Sequence, residues 1–94
     1  MAVPTPETLD HAAAVFEALQ LSTKLDVPDI VPTPNGGVQF EWHTASFDLE
    51  VDVSGPREVD VYLVDVKKGT RKDFVDLETV RDLQRVTSAL KTIL

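Results

Sequence analysis

Three residue sets in this 94-residue chain carry the right types for chemistry. The first joins Asp48 or Asp52 to the run Asp65-Val66-Lys67. Two carboxylates can hold a divalent metal while a lysine positions an attacking water, provided all three meet on one face. The second set is the two histidines, His11 and His43. Neither has a second histidine or a serine placed for nucleophilic chemistry, so both read as structural or surface residues. The third is Lys67-Lys68-Gly69-Thr70-Arg71-Lys72, which holds four of the nine bases. It lacks the glycine spacing of a phosphate-binding loop and has no aromatic residue to stack a base, so it reads as an exposed, solvated turn. Zero cysteines remove disulfides, thiolate zinc sites and a cysteine nucleophile, and suit a reducing compartment.

These residues must be positioned by one small domain, because the length allows no second core. Charge divides the chain in two. Residues 1–66 carry 12 acids and two bases, whereas residues 67–94 carry four acids and seven bases, for a net charge of -7. The 43% apolar content predicts a folded chain, and no window reaches the roughly 18 apolar residues of a membrane span. Met1-Ala2-Val3-Pro4-Thr5-Pro6 has neither a basic region nor a long apolar run, so no export signal is expected and the cytoplasm is the expected location.

An opening helix is signalled by Thr5 as cap, Pro6 in the first position and Glu7 in the first turn. Its apolar stripe reads as Leu9, Ala12, Ala13, Phe16 and Leu19, fading at Leu21-Ser22. Ile30-Val31-Pro32 can be extended only at a sheet edge, since proline donates no ladder hydrogen bond. Asn35-Gly36 is a hairpin signal. Val38–Trp42, Phe47–Val53 and Val59–Val64 alternate as strands, with His43 to Ser46 and Ser54 to Arg57 as turns. A closing helix is predicted from Asp76 as cap, with Leu77, Val80, Leu83, Val86, Leu90, Ile93 and Leu94 on its buried side. Leu90, Ile93 and Leu94 either cap the core or form a patch for pairing with a second copy. The expected fold is α+β: an antiparallel meander of three to four strands with both helices packed on one face.

Strand parity turns this outline into a surface. Val38, Phe40, Trp42, Phe47, Leu49, Val51, Val53, Val59, Val61 and Leu63 point to the helices. Gln39, Glu41, Asp48, Glu50, Asp52, Asp60, Tyr62 and Val64 point the other way. Pairing Trp42 with Phe47 would set Glu41 against Asp48 and Gln39 against Glu50. Pairing Val53 with Val59 would set Asp52 against Asp60 and Glu50 against Tyr62. Directly opposed like charges cost a sheet roughly 0.2–1 kcal/mol each. Two readings follow: a solvated face that uses acids to block edge pairing, or a docking surface for a basic protein partner formed by Glu41, Asp48, Glu50, Asp52 and Asp60, with Tyr62 and Val64 as apolar anchor. A few of these carboxylates would also suit magnesium or calcium, but no dense loop of alternating acids supports such a site, and neither metal nor cofactor is expected. The negative balance argues against direct nucleic-acid binding.

Asp65-Val66-Lys67 behind Asp48 or Asp52 resembles the Asp…(Asp/Glu)-x-Lys arrangement of restriction-type nucleases, and the helix–strands–helix order resembles that fold's core. Parity opposes it: Asp65 is in phase with Val61 and Leu63, Asp48 and Asp52 with the other side. The run Val31-Pro32-Thr33-Pro34-Asn35-Gly36-Gly37-Val38-Gln39-Phe40-Glu41-Trp42-His43, continuing to Asp48-Leu49-Glu50-Val51, resembles the Pro-Thr-Pro-x-Gly-Gly-x-x-x-Glu-Trp core of small uncharacterised bacterial proteins, which a hydrophobic–acidic alternating strand follows. That resemblance implies a bacterial, cytoplasmic accessory protein and carries no catalytic residues with it. The leading expectation is a non-enzymatic interaction module, a neutralising (antitoxin-like) or adaptor partner of a basic protein. A metal-dependent nuclease using Asp52, Asp65 and Lys67, or a dimeric acidic chaperone-like subunit, are the alternatives.

Overall fold

The computed structural model describes residues 3–78 and 80–93; the side chains of Ser22 and Val80 are outside that description, as are Met1, Ala2, Thr79 and Leu94. The places expected for Val80 and Leu94 on the buried side of the closing helix therefore lie outside the described residues, as does the start of the opening segment.

Helix α1 spans Pro6–Ser22. Thr5 caps it, its hydroxyl accepting from the Thr8 N–H at 3.2 Å, with Pro6 and Glu7 following as expected. It ends where Thr23 turns its backbone N–H (3.0 Å) and its hydroxyl (2.8 Å) onto the Leu19 carbonyl. The buried stripe differs from the predicted one. It runs Thr8, Ala12, Val15 and Leu19 with Phe16 alongside, while Leu9 is 49% exposed and Ala13 faces solvent. Leu9 and Ala13 sit one position, about 100° of rotation, off the contact line, and Val15 takes their place.

Five strands follow in meander order: β1 Asp29–Pro32, β2 Val38–His43, β3 Phe47–Gly55, β4 Glu58–Asp65 and β5 Thr70–Leu77, all neighbours antiparallel. The α+β class with a helix at each end is as expected; the strand count is five rather than three to four. Proline-rich β1 takes the edge place predicted for it. The Asn35-Gly36 turn is built differently from a two-residue hairpin. Pro34 and Asn35 lie inside a turn closed by Gly36 N–H to Thr33 O (3.2 Å), and only Gly36 takes positive φ (87°). Gly37 then donates to the Thr33 hydroxyl at 2.8 Å, in a place where a Cβ would stand 2.7 Å from the Val53 carbonyl oxygen.

Lys67 to Gly69 form the exposed turn predicted there, but strand β5 takes the rest of that loop and the predicted start of the closing helix. Its first four side chains are exposed and charged or polar, and only Phe74 and Leu77 are buried. Their spacing of three imitates a helix because a bulge sets Val75 and Asp76 opposite Asp60 alone. Asp76 is no helix cap: it sits in the bulge at φ 58°, its N–H bonded to Asp60 Oδ1 at 2.9 Å. A short 3-10 turn, Val80–Asp82, leads into helix α2, Leu83–Ile93.

All ten strand residues assigned to the helix side are at most 6% exposed, and they form one core with α1 and with Leu83, Val86 and Leu90 of α2. Ile93 packs partly against it. Phe16, Phe40 and Trp42 stack with ring centroids 5.6–6.4 Å apart. The Trp42 indole N–H donates to the Asp26 carbonyl at 2.7 Å, which anchors the link between α1 and β1. Among the described residues no helix is long and apolar enough to cross a membrane. With both helices on one face, the other face of the sheet is bare.

Candidate functional site

The bare face is laid out by the strand register. Paired residues in antiparallel strands share a face, so three rows cross the sheet. One contains Val31, Gln39, Asp52 and Asp60; the next Asp29, Glu41, Glu50, Tyr62 and Asp73; the third His43, Asp48, Val64 and Arg71. Every residue predicted for the surface (Glu41, Asp48, Glu50, Asp52, Asp60, Tyr62 and Val64) lies here, and each is half-buried.

The predicted β2–β3 pairing is corrected by two residues. Trp42 pairs with Leu49, not Phe47, so Glu41 opposes Glu50, Gln39 opposes Asp52 and His43 opposes Asp48. The cause is Thr44. Its N–H donates to the Phe47 carbonyl at 2.9 Å while its hydroxyl accepts from the Ser46 and Phe47 N–H groups, closing a turn with only Ala45 and Ser46 inside it. His43 thereby joins the strand. The β3–β4 pairing is as predicted, with Asp52 against Asp60 and Glu50 against Tyr62.

Like charges therefore oppose each other twice, at Glu41–Glu50 and Asp52–Asp60. Asp52 feels this most. Its Oδ1 is shielded from solvent with no hydrogen-bond partner. Burial first, then the charge of Glu50 and a hydrogen bond to it that only a protonated carboxyl can make, then Asp60 and Glu41, push its pKa up to about 6. Gln39 spends its amide on Glu41 (2.6 Å), and one Asp60 oxygen is committed to the bulge. Burial and the charges of Asp60 and Asp52 also raise the Tyr62 hydroxyl.

Two basic side chains share the face that sequence reasoning did not place there. His43 Nδ1 lies 3.1 Å from Asp48 Oδ1, and this hydrogen bond, with the charges of Asp48, Glu41 and Asp29, raises its pKa. Arg71 bonds Asp73 at 2.7 Å and sets its guanidinium 5.2 Å from the centre of the Tyr62 ring. The predicted apolar anchor is thus a shallow depression around Tyr62 and Val64, rimmed by His43 and Arg71. His43 could have been found by its parity with Glu41. Arg71 could not, because it arrives on a strand that the alternation did not reveal.

Asp65 is not brought to Asp52. It faces the helix side beside Lys72, Ala89 and Ile93, its Oδ1 accepting from the Lys68 N–H at 3.2 Å, and Lys67 is exposed in the turn beyond it. Among the described residues no group of three or more His, Cys, Asp and Glu has the geometry to hold a metal ion. His11, on α1, stands on the far side of the sheet from His43; its Nε2 is shielded and unpaired. What the bare face can do is electrostatic: it presents a dense, partly desolvated carboxylate array around one tyrosine. No family model, curated protein or solved structure matches the chain.

Proposed function

We propose that this protein is a non-enzymatic interaction module, of neutralising or adaptor type, that docks a basic protein partner on the bare sheet face and works in the cytoplasm. One observation carries this reading. Glu41–Glu50 and Asp52–Asp60 are held opposite one another on a surface where burial, with the neighbouring carboxylates, lifts Asp52 toward neutral pH. Confronted carboxylates cost a solvated face stability, whereas a cationic partner converts that repulsion into affinity and steers its own approach. Tyr62 and Val64 supply apolar area in the middle of the array, and the Arg71 guanidinium already shows how a cation sits on the Tyr62 ring. The nuclease alternative is less well supported, since Asp52 and Asp65 lie on opposite faces.

The test is titration of the protein with an Arg- and Lys-rich helical peptide, alongside the variant D48K/E50K/D52K and a Glu-rich control peptide. Saturable binding of the basic peptide alone, abolished in the triple variant while circular dichroism stays unchanged, is the expected result. Equal binding to both proteins removes this face from consideration. Sedimentation at tens of micromolar then separates a monomeric adaptor from the paired, chaperone-like form.

A further inference from the structure

The three surfaces with unspent chemistry are the half-buried His11 ring, the acidic corner around Glu58 and Glu78, and a groove between α2 and β5. Of these, the groove gathers several cations without a carboxylate partner among the described residues. Two adjoining shallow depressions share Lys72, Ala89 and Thr92, and together they make an open groove. Lys68 lines one end only and Arg85 the other only, with Lys72 between them. The register places Lys72 here: it pairs with buried Leu63, on the helix side of the edge strand. Arg85 is held over the Phe74 ring at 5.7 Å. None of these three cations has a carboxylate within ion-pair distance among the described residues. The one acid in the groove, Asp65, is engaged by the Lys68 backbone N–H. Thr70 and Ser88 add hydroxyls along the walls, and Leu63, Ala89 and Ile93 give the groove an apolar lining.

We infer that this groove docks an extended acidic peptide segment of a second protein, its carboxylates meeting Lys68, Lys72 and Arg85 and an apolar side chain resting near Ile93. Three exposed cations without a carboxylate partner among the described residues complement the acids of an extended chain lying along the groove. A nucleic acid would need an open ring on which to stack its bases, and Arg85 already covers that of Phe74. The inference does not rest on the sheet-face reading. If both hold, the molecule has an anionic face and a cationic groove on opposite sides of one sheet, as an adaptor joining partners of opposite charge requires.

A fluorescein-labelled peptide of repeating Asp-Glu-Leu tests it by anisotropy against the full chain. Saturable binding should weaken with added salt. It should fall by about tenfold or more in K72E/R85E, and less in the milder K68Q/K72Q, with unchanged circular dichroism in both. K24E/R57E, which makes the same change of net charge outside the groove, should lose far less. Three results overturn the proposal: no saturable binding, equal binding by K72E/R85E, or a labelled oligonucleotide binding more tightly than the peptide. A concentration-dependent dimer in sedimentation that K72E/R85E removes would also overturn it, in favour of a second copy as occupant.

Discussion

Asp52 of β3 stands directly opposite Asp60 of β4, and the two carboxylates have different fates. Asp60 accepts the Asp76 N–H and helps to close the β5 bulge, while Asp52 keeps a shielded oxygen that nothing donates to. The same cross-strand pair thus contains one structural acid and one strained acid.

Replacing Asp52 by Asn removes the strain. The folded carboxyl titrates at about 6, above its unfolded value of 3.8, so the folded state holds the proton more tightly. Its stabilising contribution is full below the unfolded value and is lost as pH rises from about 4 through about 6. D52N should therefore show a flatter pH dependence and, at pH 7.5, a gain of about 1 kcal/mol, kept small because the group is largely solvent-screened. Urea midpoints for both proteins at pH 4 and pH 7.5 measure this; a parallel pH dependence would contradict it.

His43 should titrate above 6.5 in the folded protein, because Asp48 accepts its hydrogen bond and Glu41 and Asp29 add charge. The sign is opposite in origin but alike in outcome. A raised histidine favours the fold at low pH and gives up that contribution as pH climbs through the folded value. An NMR titration of the imidazole protons in the parent and in D48N reads it directly, with D48N expected to bring the value back down.

Gly37→Ala should be costly although no positive φ is involved. The new Cβ would meet the Val53 backbone oxygen at 2.7 Å and the Thr33 hydroxyl at 2.8 Å, so the β2–β3 ribbon must shift. A loss of about 1–3 kcal/mol in chemical denaturation is expected.

Asp76→Gly should act the other way. Asp76 holds φ 58° and its bond to Asp60 comes from the backbone, which glycine keeps. Relief of the left-handed conformation should stabilise by about 1 kcal/mol, a rise in melting temperature of roughly 4–8 °C for a domain of this size. Asp76→Val, β-branched at the same φ, should lower it.

The core was legible residue by residue from Val38 to Leu63, since alternation in a half-buried strand reports the face directly. The bare face was legible for the same reason, down to the confrontation of Asp52 with Asp60. The α1 stripe was misread because alanine-rich helices offer several apolar lines, and only the packed partner selects the one through Val15. Strand β5 was illegible for a physical reason: at an edge, Thr70 to Asp73 need bury nothing, and the bulge breaks the period of two at the point where Phe74 and Leu77 begin to be buried.

By itself, then, the order of residues determined which side chains go inward and which acids go outward, because that depends only on local backbone periodicity. The tertiary structure alone decided that Glu41 faces Glu50, since a two-residue turn held by Thr44 moved the β2–β3 register by two places. It alone also delivered Arg71 to the acidic face and Lys72 to the opposite groove, because a strand pinned mainly by its neighbour's hydrogen bonds leaves little trace in its own hydrophobic pattern.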